Sequence, residues 1–295
     1  MAAPHRPPTV GDVTLPQAEI DRALLRRSVL AVSVLDDVDV DLDDDGVHVP
    51  GCTPLAWTEV ARWAAGDPRG EDGPEDALEG ARVRVRDLLL AHRALHRGSH
   101  RTPARRVALA VPVGASRHPG AGWAGRTVPG GALDLGLGVV VPDGRVERTL
   151  PVPAATARAL GLPGALTATD LDHLEAIGDL VVARLRRDAG TRGGDVLRPV
   201  GGCDVPTLLA SATLRVHLVA GSDRAPGPLL CAVAVPDRTR GWFDLARIDP
   251  AYTGAAWSVT GPRDRGFRRP VLVTRDEVAT APENPRIDEF ALRDA

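Results

Sequence analysis

Lysine is absent from this sequence. All 36 basic residues of the 295-residue chain are arginine, set against 39 aspartates and glutamates for a formal net charge of -3. Every fixed side-chain cation is therefore a guanidinium titrating above ~12, able to clamp an anion but not to act as a base or an amine nucleophile. That excludes Schiff-base chemistry with pyridoxal phosphate or of the aldolase type, the P-loop lysine, and the lysine–glutamate pair of protein kinases. Aromatic residues make up only 3%, and Asn284, Gln17, Tyr252 and Met1 are each the sole residue of their type. Such a bias reflects the codon supply of a high-GC bacterial genome more than selected function. The three cysteines, Cys52, Cys203 and Cys231, are too few and too odd in number for a disulfide framework. The first eight residues lack the apolar core of a signal peptide, and no run approaches the ~20 apolar residues of a membrane span. A soluble, cytoplasmic chain with reduced thiols and no membrane partner is expected.

What is present is an ordinary globular balance, with 43% hydrophobic and 25% charged residues. Thr14-Leu-Pro-Gln17 has the form of a capping box and predicts a short helix carrying Ile20, Leu24 and Leu25. The β-branched run Val29–Leu35 predicts a buried strand. Val38, Val40 and Leu42 alternate with aspartates, and Val47 and Val49 answer across Asp43-Asp-Asp-Gly46, which predicts a hairpin. A helix opens at Thr53-Pro54 with Trp57 and Val60 as anchors and Trp63 less clearly placed. Residues 66–77, rich in Gly, Pro and acids, predict a solvated linker.

Further helices are predicted at 78–97, to about 187 from a cap at Thr169 or Asp170, at 206–219 and at 250–259. Strands are predicted at 106–113, 133–141, 145–152, 229–235 and 270–274. Hairpins mixed with isolated helices point to an α+β fold with a mixed or antiparallel sheet and several packed helices. Two lobes are expected, 1–125 and 126–281, followed by a polar tail, 282–295.

No segment carries a complete catalytic constellation, but several invite chemistry. The seven aspartates of Asp36–Asp45 match only the first half of a calcium loop, so an acidic hairpin tip is the expected reading. His92 and His96 stand at i and i+4 on a helix, a spacing that can share a metal; a third ligand and the His-Glu-x-x-His pattern are both missing. Arg82, Arg86, Arg93 and Arg97 form an arc on the same helix, a stripe able to meet phosphates. Gly201-Gly-Cys203-Asp204 sets a thiol at a helix start where Asp204 is a natural N-cap. Paired with His217, that thiol is the candidate nucleophile. Gly130–Gly138 contains Gly-x-Gly without a following helix, so it is no dinucleotide fingerprint. Its small residues would instead let a flat group approach closely, and Asp134 shares that face.

Arg238, Arg240, Trp242, Phe243 and Asp244 interleave arginines with aromatics after a strand and form the candidate binding surface. The expected function is a non-catalytic interaction or regulatory protein with a protein partner or a small anionic ligand. No cofactor is expected, and the weakly acidic chain, with pI near 6.2, speaks against nucleic acid. The alternative is a hydrolase or transferase acting on an anionic small substrate through arginine clamps and a cysteine or histidine.

Overall fold

A computed structural model describes residues 22–70, 74–98, 104–143, 146–191, 195–220, 230–243 and 248–282. The predicted capping box at Thr14, the binding-surface residue Asp244 and the tail beyond residue 282 lie outside these residues. The first helix, α1 (Arg22–Asp36), runs straight through the segment predicted as a strand. The β-branched run misled because its burial is helical. Leu25, Val29 and Val32, spaced four and three apart, are buried against a later helix, whereas Val34 and Leu35 are exposed. The predicted hairpin follows as β1 (Asp41–Leu42) and β2 (Gly46–His48), and β3 (Leu55–Ala56) extends it to three antiparallel strands. At its tip Asp43 Oδ1 accepts the backbone N–H groups of Asp45 and Gly46, each at 2.8 Å, so the aspartates shape a turn.

Next come α2 (Trp57–Ala65) and α3 (Pro74–Gly98). The helix thus begins inside the predicted linker, at a proline, the residue whose fixed φ suits a first helical position. A four-stranded antiparallel sheet is built from β4 (Arg106–Pro112), β5 (Arg126–Thr127), β6 (Leu133–Asp143) and β7 (Val146–Pro151), and β6 pairs with all the others. The short α4 (Ala154–Ala159) leads to α5 (Ala168–Asp188). Its capping box is made by Thr167 and Asp170, two residues before the predicted Thr169.

After β8 (Val196–Leu197), the single helix predicted over 206–219 is two, α6 (Val205–Leu209) and α7 (Ala212–Ala220). The break has a local cause. Ser211 Oγ accepts the Leu214 N–H, and the Glu175 carboxylate of α5 accepts the Ala212 and Thr213 N–H groups at 2.9 Å. A second start is capped twice over. Then β9 (Cys231–Asp237), β10 (Arg240–Trp242), α8 (Pro250–Val259), β11 (Val271–Val273) and β12 (Val278–Thr280) complete a five-stranded sheet ordered β12-β11-β9-β10-β8. All pairings among the described residues are antiparallel, so the α+β expectation holds in its antiparallel form.

Two apolar cores meet on β6. Its Leu133 and Leu135 belong to the core shared by α5, α6, α7, β9 and β11, while Leu137, Val139 and Val141 belong to the core of α1, α2, α3 and the small hairpin sheet. These five side chains alternate onto one face of one strand. The division expected near residue 125 therefore runs through the four-stranded sheet. The opposite face of β6 carries Asp134, Gly136 and Gly138. A Cβ at Gly136 would lie 2.6 Å from the Trp123 indole, so the flat group that those glycines admit is an internal tryptophan.

Candidate ligand site

Helix α2 ends at Gly66, whose φ of +73° turns the chain into Asp67-Pro-Arg69. Asp67 Oδ1 accepts both the N–H and the Nε–H of Arg69, at 3.1 and 2.9 Å, and Asp67 Oδ2 accepts the Gly114 N–H at 2.9 Å. Arg69 also donates from Nη2 to Asp134 Oδ2 at 2.6 Å, bridging the two carboxylates. On the other side of Asp134, His118 Nε2 donates to Oδ2 at 3.0 Å and Thr127 donates to Oδ1 at 2.7 Å. His118 Nδ1 accepts the Gly120 N–H at 3.0 Å, which fixes the neutral tautomer with its proton on Nε2.

Burial alone would raise the Asp134 carboxyl, but the hydrogen bonds from His118, Thr127 and Arg69 outweigh it and hold it far below the ordinary range. Asp67 is lowered in the same way: burial opposes, and the bonds from Arg69 and Gly114 prevail. This arrangement is a carboxylate–histidine dyad without a nucleophile, because both ring nitrogens are already engaged inside the protein. Asp67, His118 and Asp134 also offer ligand atoms within 4.8 Å of one another, yet the Arg69 guanidinium lies on both carboxylates and already supplies the cation.

A lowered carboxylate contributes stability above its unfolded value of ~3.9 that is lost as pH falls through its lower folded value. Asp134→Asn, which cannot titrate, should therefore show a shallower fall in stability than the wild type between about pH 4 and pH 2. Urea midpoints across that range measure it, and parallel curves would refute the assignment.

Arg69 stands between two clefts. The smaller, about 210 Å³, is lined by Asp67, His118, Trp123 and Asp134 among others. The larger, about 300 Å³, is lined by Arg69, Arg268, Arg269, Trp257, Phe267 and the turn at Gly114, with no carboxylate among the described residues that line it. Its tryptophan is oriented by cations: the Arg265 guanidinium lies 4.1 Å from the Trp257 ring centre and that of Arg268 5.8 Å. The result is a basic cleft with aromatic walls.

The residues singled out in the sequence do not converge there. Cys203 is buried at 1% exposure, and burial, then Asp204, push its thiol up to about 12 against the pull of Arg105. His217 lines a different cleft, between α5 and α7, with burial and then Arg186 lowering its pKa. The suggested Cys203–His217 pair is not assembled. Arg238 of the proposed binding surface is buried against Asp204 at 3.3 Å. Arg240 is exposed 5.9 Å over Trp242, whose ring meets Tyr252 edge-on, and Phe243 packs on the core. Cys203, Arg238 and Arg240 line neither of the clefts that adjoin Arg69.

The arginine arc of α3 is only partly turned inward, with Arg86 buried, Arg82 and Arg93 half-buried and Arg97 exposed. Arg86 pairs with Asp36 and Arg93 donates to the Asp37 carbonyl, so it faces the C-terminus of α1, while Arg82 pairs with Glu79 of its own helix. His92 and His96 hold the chain around Thr53. His96 Nε2 accepts the Thr53 N–H at 3.1 Å, and His92 Nε2 donates to the Thr53 carbonyl at 2.9 Å. Burial, then His96, lower the His92 pKa to about 4, against the Thr53 carbonyl.

The sequence reading missed Asp67, Arg69, His118, Arg268 and Arg269. One signal was available for Asp134, a lone carboxylate on the glycine face of an otherwise apolar strand. Asp67 and Arg69 were hidden inside a segment whose composition reads as linker. Fold and site together define an antiparallel α+β protein with an arginine-lined cleft. The chain matches no protein-family model, no curated protein and no solved structure.

Proposed function

We propose that this protein is a non-catalytic binding protein, acting in an interaction or regulatory role, whose ligand is a small anion with a planar apolar part. The observation that carries this reading is a cleft that Arg268, Arg269 and two aromatic side chains line beside the already paired Arg69, with no carboxylate among its described lining residues. Guanidinium pairs recognise carboxylate or phosphate oxygens bidentately, and Trp257 and Phe267 offer apolar surface for the rest of the ligand. Binding without turnover is the better reading because the adjoining dyad has both histidine nitrogens engaged and, among the described residues, no hydroxyl or thiol hydrogen-bonded to the ring. The hydrolase or transferase alternative would need Cys203 as a thiolate, and its enclosure opposes that. Cytoplasmic residence is supported by the three cysteines, all of them free thiols.

Titration calorimetry with inorganic phosphate and with benzoate tests the proposal, phosphate for the anion alone and benzoate for anion plus ring. The wild type should bind benzoate, and Arg268→Ala should weaken it at least about tenfold, equivalent to ~1.4 kcal/mol. Equal affinity in wild type and variant would remove the cleft as the site. Binding of neither probe would remove the function.

A further inference from the structure

The histidine pair of α3 lacked a third ligand in the sequence, and the fold supplies one. The turn between β2 and β3 brings Cys52 to α3, so that Cys52 Sγ and one nitrogen of each of His92 and His96 all lie within 4.8 Å of one another. Nitrogen identities follow from the hydrogen bonds. The Nδ1 of His96 faces the His92 carbonyl at 2.9 Å and the Nδ1 of His92 faces Thr156 Oγ1 at 2.8 Å, whereas both Nε2 atoms face Thr53, the neighbour of Cys52.

We propose that Cys52, His92 and His96 form a binding site for a thiophilic divalent cation of the zinc type, with solvent as the fourth ligand. Three observations support it beyond proximity. First, metal-bound imidazoles hold their second ring nitrogen against a carbonyl or hydroxyl, and both Nδ1 atoms already have such a partner. Second, the Nδ1 of His96 faces the His92 carbonyl, which leaves Nε2 as the nitrogen to coordinate; the cation would replace the Thr53 N–H and hydroxyl that now lie 3.1 Å from it. Third, the thiol can be reached. Open space surrounds Gly51 and Cys52 is half-buried, which leaves an entry path from solvent.

The chemistry balances without a co-reactant. The cation takes the Nε2 lone pairs and the Cys52 thiolate, and the thiol proton leaves to solvent. His92 changes tautomer, its proton passing from Nε2 to Nδ1, where Thr156 Oγ1 then accepts instead of donating. The Thr53 N–H and carbonyl give up their bonds to the rings. With bonds of ~2.0–2.1 Å to nitrogen and ~2.3 Å to sulfur, tetrahedral coordination requires ligand atoms about 3.5 Å apart, so the turn closes on α3 by about 1 Å. Burial raises the Cys52 thiol against the pull of Arg97 and Arg93 from α3, so the cation itself must drive the loss of the thiol proton. The Asp67, His118 and Asp134 cluster lacks sulfur and already holds the Arg69 cation, which makes the two sites separable by spectroscopy.

Cobalt(II) titration of the full chain under reducing conditions is the test. The wild type should develop visible bands of a tetrahedral ion together with a near-ultraviolet thiolate charge-transfer band, all saturating at one equivalent and abolished by added zinc. Cys203→Ser and Cys231→Ser should retain the charge-transfer band. Cys52→Ser and Cys52→Ala should lose it while keeping the far-ultraviolet circular dichroism of the wild type. Saturation without a charge-transfer band, or a band that survives in both Cys52 variants, would overturn the proposal, as would the lack of any saturable signal. The site lies apart from the arginine-lined cleft, so loss of benzoate binding bears on the function proposed above and not on this inference.

Discussion

Asp204→Ala is expected to lower the stability of the fold by about 4–6 kcal/mol, a large part of what holds a domain together. Asp204 does two jobs with its two oxygens. Oδ1 accepts the Thr207 N–H at 3.1 Å and the Thr207 hydroxyl at 2.6 Å, capping α6. Oδ2 lies 3.1 Å from Arg117 Nη2 and 3.3 Å from Arg238 Nε, and these side chains are only 2% and 7% exposed. Burial, then repulsion from Arg238, already lower the Arg117 pKa to about 10, while Asp204 is the strongest influence in the other direction. Removing the carboxylate would take from two enclosed guanidiniums the acid that contacts both, leaving them the longer-range pull of Asp87, and breaking a buried ion pair costs ~3–5 kcal/mol. Loss of the cap adds ~1 kcal/mol. Asp204→Asn separates the contributions, since asparagine caps helices well but carries no charge; it should retain most of the loss. Arg117→Met combined with Asp204→Ala should recover part of it by removing one orphaned cation. Urea denaturation followed by circular dichroism measures all three, and an Asp204→Ala variant within 1 kcal/mol of the wild type would refute the account.

Trp63→Ala should cost about 4 kcal/mol, more than Trp57→Ala in the same helix. The contrast follows from their surroundings. Trp63 is 1% exposed, donates from its indole to the Gly122 carbonyl at 3.2 Å, and fills the space against a glycine where a Cβ would come within 2.2 Å of the ring. Truncation there opens a cavity that the surrounding helix and turn cannot collapse into, and leaves the Gly122 carbonyl without its donor. Trp57 is 8% exposed, with the guanidiniums of Arg22 and Arg26 about 5.8 and 5.7 Å from its ring, on a side open to water. Some of its contact area can be taken over by solvent and by the arginine stems. Equal losses in the two variants would show that the turn at Gly122 yields more readily than its packing implies.

Much of the fold was legible in the sequence because its signals were local. The β6 alternation, the Asp-Gly hairpin and the Asp204 cap each depend on residues a few positions apart, and each forms as read. Where the sequence misled, a distant partner decided. Val29–Leu35 forms a helix because α3 offers a groove for every third and fourth residue, and the helix after Asp204 breaks in two because Glu175, far back in α5, caps a second start. The candidate site was hardest to read for the same reason. Asp67 and Asp134 are 67 positions apart, and what unites them is Arg69 crossing between a loop and a strand. The arginine stripe of α3 was visible but its direction was not. Arg86 is answered by Asp36 at the end of α1 and Arg82 by Glu79 of its own helix, so part of what reads as a surface for anions is internal cement.

The double duty of β6 bears on how the protein can come apart. A strand that forms a wall of both cores cannot leave one without opening the other, so the α1–α3 layer and the α5–α7 layer do not behave as separable modules despite their distinct apolar interiors. Heat or denaturant should dismantle them in a single cooperative event. A chain cut near residue 125 would leave each fragment with an unpaired sheet edge and an uncovered apolar face. Evolution can then alter the arginine-lined cleft or the cysteine–histidine turn freely at the periphery, but any change to the shared strand is felt on both sides at once.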